Sequence, residues 1–311
     1  MVNILFAGGS HRWPQYQAPL RHALDAAGLS EAVLATDLPP AEVDYIVYAP
    51  TPDGFTDFTP YTRCKAVLSL WAGVEKIVGN ASLTMPLTRM VDDGLRAGMI
   101  EWVTGQVLRH HLGIDRLLAN QSGDWRPEVP PLARDRPVTI LGLGALGAAC
   151  AGSLTALGFP VTGWSRRPKD LPGLTCLSGP DGLTEALRRA EILVLLLPAT
   201  PETDSLLDAA RLSLLPEGAV ILNPGRGTLI DDDALLDALD SGAIGHATLD
   251  VVRQEPLPPE HRFWAHPRVT VSPHVASETR PDTASEIIAE NVRRAEAGEP
   301  LLHLVDRAAG Y

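Results

Sequence analysis

The sequence predicts an α/β protein of two domains, each a parallel sheet wound with helices on both faces. Three observations predict it. The chain has 311 residues, about twice what one domain commonly holds. Short apolar runs alternate with helical stretches in both halves, which is the pattern of βαβ units. A GxGxxG turn, Gly142-Leu143-Gly144-Ala145-Leu146-Gly147, stands between one such run and a helix.

The elements follow in chain order. Val2-Asn3-Ile4-Leu5-Phe6-Ala7 is an apolar run closed by Gly8-Gly9, which predicts a buried strand and a turn. A helical stretch runs to about Ala27, with Gly28 in the position of a C-cap. Asp44–Tyr48 and Ala66–Leu70 read as strands. Met99–Ala119 reads as one long helix, a connector between domains, with Ile100, Val103, Val107, Ile114 and Leu118 on a single face. A loop from Gly123-Asp124-Trp125 to Pro130-Pro131 follows and reads as a partner-binding arm. Further strands are predicted at Val138–Leu141, Val161–Trp164, Ile192–Leu197, Ala219–Leu222 and His246–Leu249. The apolar runs among them lack alternation, as strands covered on both faces do. A terminal helix, Ala284–Ala297, begins near Pro281.

Composition removes several classes of function. Lys and Arg number 26 against 38 Asp and Glu, a net charge of −12. That balance argues against nucleic acid and anionic membranes as partners. Cys64, Cys150 and Cys176 stand far apart with no CxxC pair, which predicts reduced thiols. The N-terminus lacks a basic lead-in, and the longest apolar span has six residues where a bilayer helix needs about 20. A soluble, cytoplasmic protein is expected. His110 and His111 are neighbours, about 100° apart on a helix, and cannot pair on one metal as i,i+4 ligands do. No His, Cys or Asp cluster has ligand spacing, so no metal is expected.

In the glycine turn, Gly142 permits the tight bend, Gly144 lets backbone approach a pyrophosphate, and Gly147 lets the helix pack on the strand. Ala145 and Leu146 open a helix whose N-terminal amides and dipole suit phosphate. Dinucleotide binding is therefore expected. The next strand ends in Ser165-Arg166-Arg167-Pro168-Lys169, where an NAD site would carry an acidic residue for the ribose 2′-hydroxyl. A hydroxyl and the cations of Arg166, Arg167 and Lys169 suit a 2′-phosphate instead. NADP(H) is the preferred cofactor on this reading, with NAD(H) possible.

Three further stretches each follow the carboxyl end of a predicted strand, where open α/β sheets place ligands. They are Asn223-Pro224-Gly225-Arg226-Gly227, Glu255-Pro256-Leu257-Pro258 and Ser272-Pro273-His274-Val275-Ala276. Singly, Arg226 reads as a surface cation, Glu255 as a solvated acid and His274 as a satisfied histidine. Jointly, and with the glycine turn, they make the sequence resemble the D-isomer-specific 2-hydroxyacid dehydrogenase family over nearly the whole chain. Within that family the resemblance is to the branch that reduces glyoxylate and hydroxypyruvate. Gly158-Phe159-Pro160 leading into Trp164-Ser165-Arg166 carries it, with Leu87-Thr88-Arg89-Met90 and the ending Val305-Asp306-Arg307-Ala308-Ala309-Gly310-Tyr311.

The resemblance implies a Rossmann cofactor domain over residues 99–280. It also implies a flavodoxin-like substrate domain from residues 1–98 and 281–311, with an interdomain cleft. The implied reaction is NADPH-dependent reduction of small 2-oxo acids by hydride transfer, glyoxylate to glycolate and hydroxypyruvate to D-glycerate. Arg226 would hold the substrate carboxylate and polarise its carbonyl. His274 would give the proton, and Glu255 would pair with His274 and keep it charged. Asp250 would contact the nicotinamide carboxamide, and Pro198 and Thr200 would line the cofactor cleft. The Ser69–Glu75 loop would bind the carboxylate through the amides of Ala72 and Gly73. Trp71 beside them would either narrow the pocket or pack into the core. Pro224-Gly225 and Arg262-Phe263-Trp264 depart from the family's commoner residues without removing a charged catalytic group. A homodimer around the Met99 helix and the Trp125 loop is also implied. Another D-2-hydroxyacid dehydrogenase, D-lactate-like, and a non-catalytic nucleotide-sensing protein of the corepressor kind are the alternatives.

Overall fold

In the computed structural model, which describes every residue except Asp53, Asp124 and Tyr311, the first apolar run forms strand β1 (Asn3–Ala7). Asp124 of the Trp125 loop and Tyr311 of the chain ending thus lie outside the described residues. The chain divides into two compact units, residues 1–95 with 278–311, and residues 96–277. No helix of the described residues is long and apolar enough to cross a membrane.

The first unit continues with α1 (Trp13–Ala26), β2 (Val33–Ala35), β3 (Tyr45–Tyr48), β4 (Ala66–Ser69), β5 (Leu87–Thr88) and the terminal helix Pro281–Glu296. Its strands pair in parallel in the order β2-β1-β3-β4-β5. This is the flavodoxin-like order, and its reversal lies between β1 and β3. Alternate residues of each strand feed opposite faces. Ile4, Phe6, Tyr45, Val47, Ala66 and Leu68 pack with Leu20 and Leu24 of α1 and Ile288 and Val292 of the terminal helix. Leu5, Ile46, Tyr48 and Val67 pack with Phe58, Ile77 and Leu83. Both faces are covered, so the strands show no polar alternation. At the end of α1, Gly28 takes φ +78 one residue past the cap residue Ala27, and Leu29 N donates back to the Leu24 carbonyl at 2.8 Å.

Helix α2 (Asp93–His111) leads into the second unit and is followed by α3 (Ile114–Ala119). Then come β6 (Val138–Leu141), α4 (Ala145–Ala156), β7 (Val161–Ser165), β8 (Thr175–Ser178), α5 (Gly179–Arg188) and β9 (Ile192–Leu195). The unit closes with α6 (Ala209–Leu212), β10 (Ala219–Asn223), α7 (Asp232–Ser241), β11 (Ile244–Leu249), α8 (Arg262–Ala265) and β12 (Val269–Val271). Seven parallel strands run β12-β11-β10-β9-β6-β7-β8. The six that follow the doubly wound dinucleotide-binding order turn at β6 and β9, and β12 extends the edge.

One expectation is corrected here. The helix expected over Met99–Ala119 begins earlier, at Asp93, and breaks at Gly113, which takes φ +67. Val103 and Val107 are buried with Met99 against Val138, Ile140 and Val220. Ile114 and Leu118 leave that face and are 36% and 67% exposed. The left-handed glycine resets the helix axis, so an apolar stripe counted across it does not stay on one side.

Candidate active site

The glycine turn joins β6 to α4. At Gly142, φ is +109 and a Cβ would stand 2.4 Å from the Leu196 carbonyl oxygen. At Gly147 a Cβ would stand 1.8 Å from the carbonyl oxygen of Gly142, so only glycine lets α4 seat on the turn. Gly144 is different. Nothing lies within 4 Å of its Cβ position, and Gly144 and Ala145 are exposed. Bare backbone here precedes amides that have no acceptor inside the helix. The cradle therefore fits a dinucleotide pyrophosphate.

Beyond β7, the Ser165 hydroxyl donates to the Arg167 carbonyl at 2.7 Å and folds the basic loop back at the strand end. Arg166, Arg167 and Lys169 are exposed. Lys169 Nζ donates to the Leu143 carbonyl at 2.5 Å, which leans this cation over the glycine turn. Glu202 lies near this loop. Its own backbone amide and the Thr200 hydroxyl hold its carboxyl below the usual range, and the charge of Arg166 adds to the effect. After β9, Thr203 ties the segment that carries Pro198 and Thr200. Its hydroxyl donates to the Pro198 carbonyl at 2.7 Å and accepts from Thr200 N at 2.9 Å.

Arg226 follows β10 on a loop clamped by Asn223. The Asn223 side chain accepts from Gly225 N at 3.1 Å and donates to the Arg226 carbonyl at 2.9 Å. A Cβ at Gly225 would meet the Leu195 carbonyl oxygen at 2.7 Å, and one at Gly227 would meet the Val252 carbonyl carbon at 1.9 Å. The unusual Pro224-Gly225 pair thus meets a demand of shape. Arg226 itself is half-buried, and its Nη1 donates to the Gly225 carbonyl at 2.7 Å.

His274 and Glu255 meet at 2.8 Å, Nδ1 to Oε2, with the side chains 53% and 40% exposed. Glu255 Oε1 also accepts from Val252 N at 3.3 Å. The contact occupies Nδ1 and leaves Nε2 as the ring nitrogen for a ligand. The His274 backbone stands at φ +55, which a side-chain residue seldom adopts. Buried Asp250 accounts for it. Oδ1 accepts from the Ser272 hydroxyl at 2.6 Å and from Val275 N at 3.0 Å, Oδ2 accepts from Ala276 N at 2.9 Å, and the Asp250 carbonyl accepts from His274 N at 2.8 Å. Arg226, Asp250 and His274 thus leave the carboxyl ends of three adjacent strands, β10, β11 and β12.

In the first unit, Ser69 shapes the loop after β4. Its hydroxyl accepts from Trp71 N at 3.0 Å, and Met90 N donates to the Trp71 carbonyl at 2.9 Å. The amides of Ala72 and Gly73 donate to nothing among the described residues. Trp71 is half-buried on the core and also carries the Arg12 guanidinium, 6.0 Å from its ring centroid.

The anchoring by Asp250 and Ser272 and the ties made by Thr203 went unread in the sequence, because each bonds backbone that no spacing identifies. Asn223 carried a signal, an Asx residue ahead of Pro-Gly, which marks a side-chain-bonded turn.

Residues 104–276 match the family D-isomer specific 2-hydroxyacid dehydrogenase, NAD binding domain. Among solved structures, a D-isomer specific 2-hydroxyacid dehydrogenase from Xanthobacter autotrophicus Py2, in complex with NADPH and MES, is 40% identical. It is matched over 100% of this chain and 99% of that one at a TM-score of 0.92. The NADPH-dependent glyoxylate/hydroxypyruvate reductase of Sinorhizobium meliloti, solved with NADP and sulfate, is 34% identical over 100% and 99% at a TM-score of 0.85. A probable 2-hydroxyacid dehydrogenase from Rhizobium etli CFN 42, solved with NADP, HEPES and L(+)-tartaric acid, is 29% identical over 100% of both chains at 0.86. The glycine cradle, the two parallel sheets and these matches place the chain in the D-isomer specific 2-hydroxyacid dehydrogenase family.

Proposed function

We propose that this protein is an NADPH-dependent reductase of small 2-oxo acids, acting on glyoxylate and hydroxypyruvate. The observation that carries the reading is the His274–Glu255 pair, 2.8 Å apart, on the unit that holds the glycine cradle and Arg226. Similarity to the Sinorhizobium meliloti reductase supports the choice of substrates.

The backbone of Gly142, Gly144, Ala145, Leu146 and Gly147 would hold the cofactor pyrophosphate. Ser165, Arg166, Arg167 and Lys169 would hold the 2′-phosphate, Pro198 and Thr200 would flank the cofactor, and Asp250 would face its carboxamide. When bound, NADPH supplies the hydride. Arg226 binds the substrate carboxylate in its planar fork and polarises the carbonyl oxygen. His274 gives the proton at Nε2 to that oxygen as charge develops. Glu255, on Nδ1, orients the ring and stabilises its positive charge. In the first unit, the amides of Ala72 and Gly73 suit a carboxylate, and the bulk of Trp71 beside them suits a small acid.

The test is direct. NADPH absorbance is followed with glyoxylate, hydroxypyruvate and pyruvate, and again with NADH. Turnover is expected with the first two acids and NADPH; consumption of neither cofactor with either acid overturns the reading.

We further propose a homodimer. Leu118, Trp125 and Val129 are 67%, 95% and 92% exposed, an apolar surface on α3 and the loop after it that a second copy of the chain would cover.

A further inference from the structure

The second unit also brings together three ligand-type side chains that the sequence keeps apart. His110 lies near the end of α2, Asp115 in the first turn of α3, and His246 in β11. The left-handed turn at Gly113 folds Asp115 back toward His110. One ligand atom from each residue lies within 4.8 Å of the other two. The imidazole rings stand 4.9 Å apart, tilted by 47°.

The surroundings suit ligands. His110 Nε2 is 3.0 Å from the Thr248 hydroxyl, and His246 Nε2 is 2.9 Å from the Thr270 hydroxyl. Such partners fix the ring orientation of metal-binding histidines. Burial, with the charge of the other histidine and of Arg109, lowers His110 to about 3; burial and then Arg109 lower His246 to about 4. Beside them is a pocket of about 430 Å³, lined also by Val129, Pro130, Gly218 and Gly245. Two imidazoles, one carboxylate and an open side make the donor set of a four-coordinate zinc site that keeps one position for water.

We propose that His110, Asp115 and His246 bind a divalent transition-metal ion, Zn2+ foremost, that ties α2, α3 and β11 together. Arg109 opposes it. Its Nε donates to Asp115 Oδ1 at 2.8 Å and its Nη2 to the Thr270 hydroxyl at 3.0 Å, so the metal shares the carboxylate with a guanidinium and affinity is reduced. Arg116 and Arg136 also line the pocket, paired with Glu128 and Glu191. Mg2+ and Ca2+ want oxygen donors and are not held.

The experiment is calorimetric titration of ZnCl2 into untagged, chelator-stripped full-length protein, with MgCl2 in a parallel run. One equivalent of Zn2+ per chain is expected, with no saturable Mg2+ binding. His246→Ala and Asp115→Asn should each weaken binding at least about tenfold. His111→Ala removes the neighbouring ring, which packs edge-on against Phe159, and should leave the affinity unchanged. Unfolding midpoints of the stripped variants separate lost ligation from lost fold, and Co2+ bound in the same place should show the visible bands of a tetrahedral ion. Absence of saturable Zn2+ binding by the unaltered protein, or binding that survives the joint change His110→Ala, His246→Ala, overturns the proposal. No turnover is measured, so this result stands apart from the reductase reading.

Discussion

Asp250 shows how one buried carboxylate can fix the turn that carries His274. It accepts four hydrogen bonds from residues 272–276, counting its backbone carbonyl. Asp250→Asn retains one acceptor oxygen but puts an amide donor against another donor, at a cost of about 1–3 kcal/mol. The expected outcome is a fall in kcat larger than the loss of stability, measured by steady-state kinetics beside urea unfolding. His274→Gln removes the proposed proton donor, and kcat should fall about 10²–10⁴-fold with KM for the oxo acid little changed. His110 and His246 govern a separate pH response. Their folded values lie below the ordinary histidine value near 6.5. The unfolded chain therefore takes up protons first as pH falls, and stability is fully present above about 6.5 and lost below it. Each partly buried ring contributes less than about 1.4 kcal/mol per pH unit. Unfolding midpoints measured from pH 7.5 to pH 5 should fall, and fall less steeply in His246→Asn.

At the scale of elements, the work of holding a cofactor is divided, in the proposed reading, between the glycine turn and the basic loop. Gly147→Ala drives a methyl into the Gly142 carbonyl, so loss of dinucleotide binding is expected, read by fluorescence titration with NADPH. Arg166→Ala with Arg167→Ala should raise KM for NADPH about tenfold or more while leaving KM for NADH nearly unchanged, because only the first carries a 2′-phosphate. Much of this layer was legible in advance. The glycine turn, the basic loop and the strands that precede Arg226 and Glu255 follow from short-range demands of backbone and charge. The edge strands β2 and β8 escaped notice because they are short and half open to solvent, which blurs the apolar run that marks a buried strand. The helix break at Gly113 was equally hidden, since an isolated glycine inside a helical stretch carries no label of left-handed backbone.

At the scale of the whole molecule, a net charge of −12 coexists with a cluster of exposed cations, Arg166, Arg167 and Lys169, on the loop after β7. Excess negative charge keeps copies apart at long range, so the proposed dimer must rest on apolar contact. Sedimentation equilibrium should give twice the chain mass. Leu118→Asp with Trp125→Ser should shift it to one chain with little change in the unfolding transition of the monomer. A dimer that persists would place the interface elsewhere. Division of the chain also acts at this scale, because residues 278–311 return to the first unit and the terminal helix supplies part of its core.

The sequence by itself determined what depends on near neighbours in the chain. Glycines at forced dihedrals, an Asx turn before Pro-Gly, runs buried on both faces and motifs at strand ends are all written within a few residues. Tertiary structure alone decided which distant groups meet. Asp250 reaches residues 272–276, Arg12 covers Trp71, and His246 comes within ligand distance of His110 and Asp115. Periodicity encodes which face a side chain takes, and it holds no record of what the fold places opposite that face.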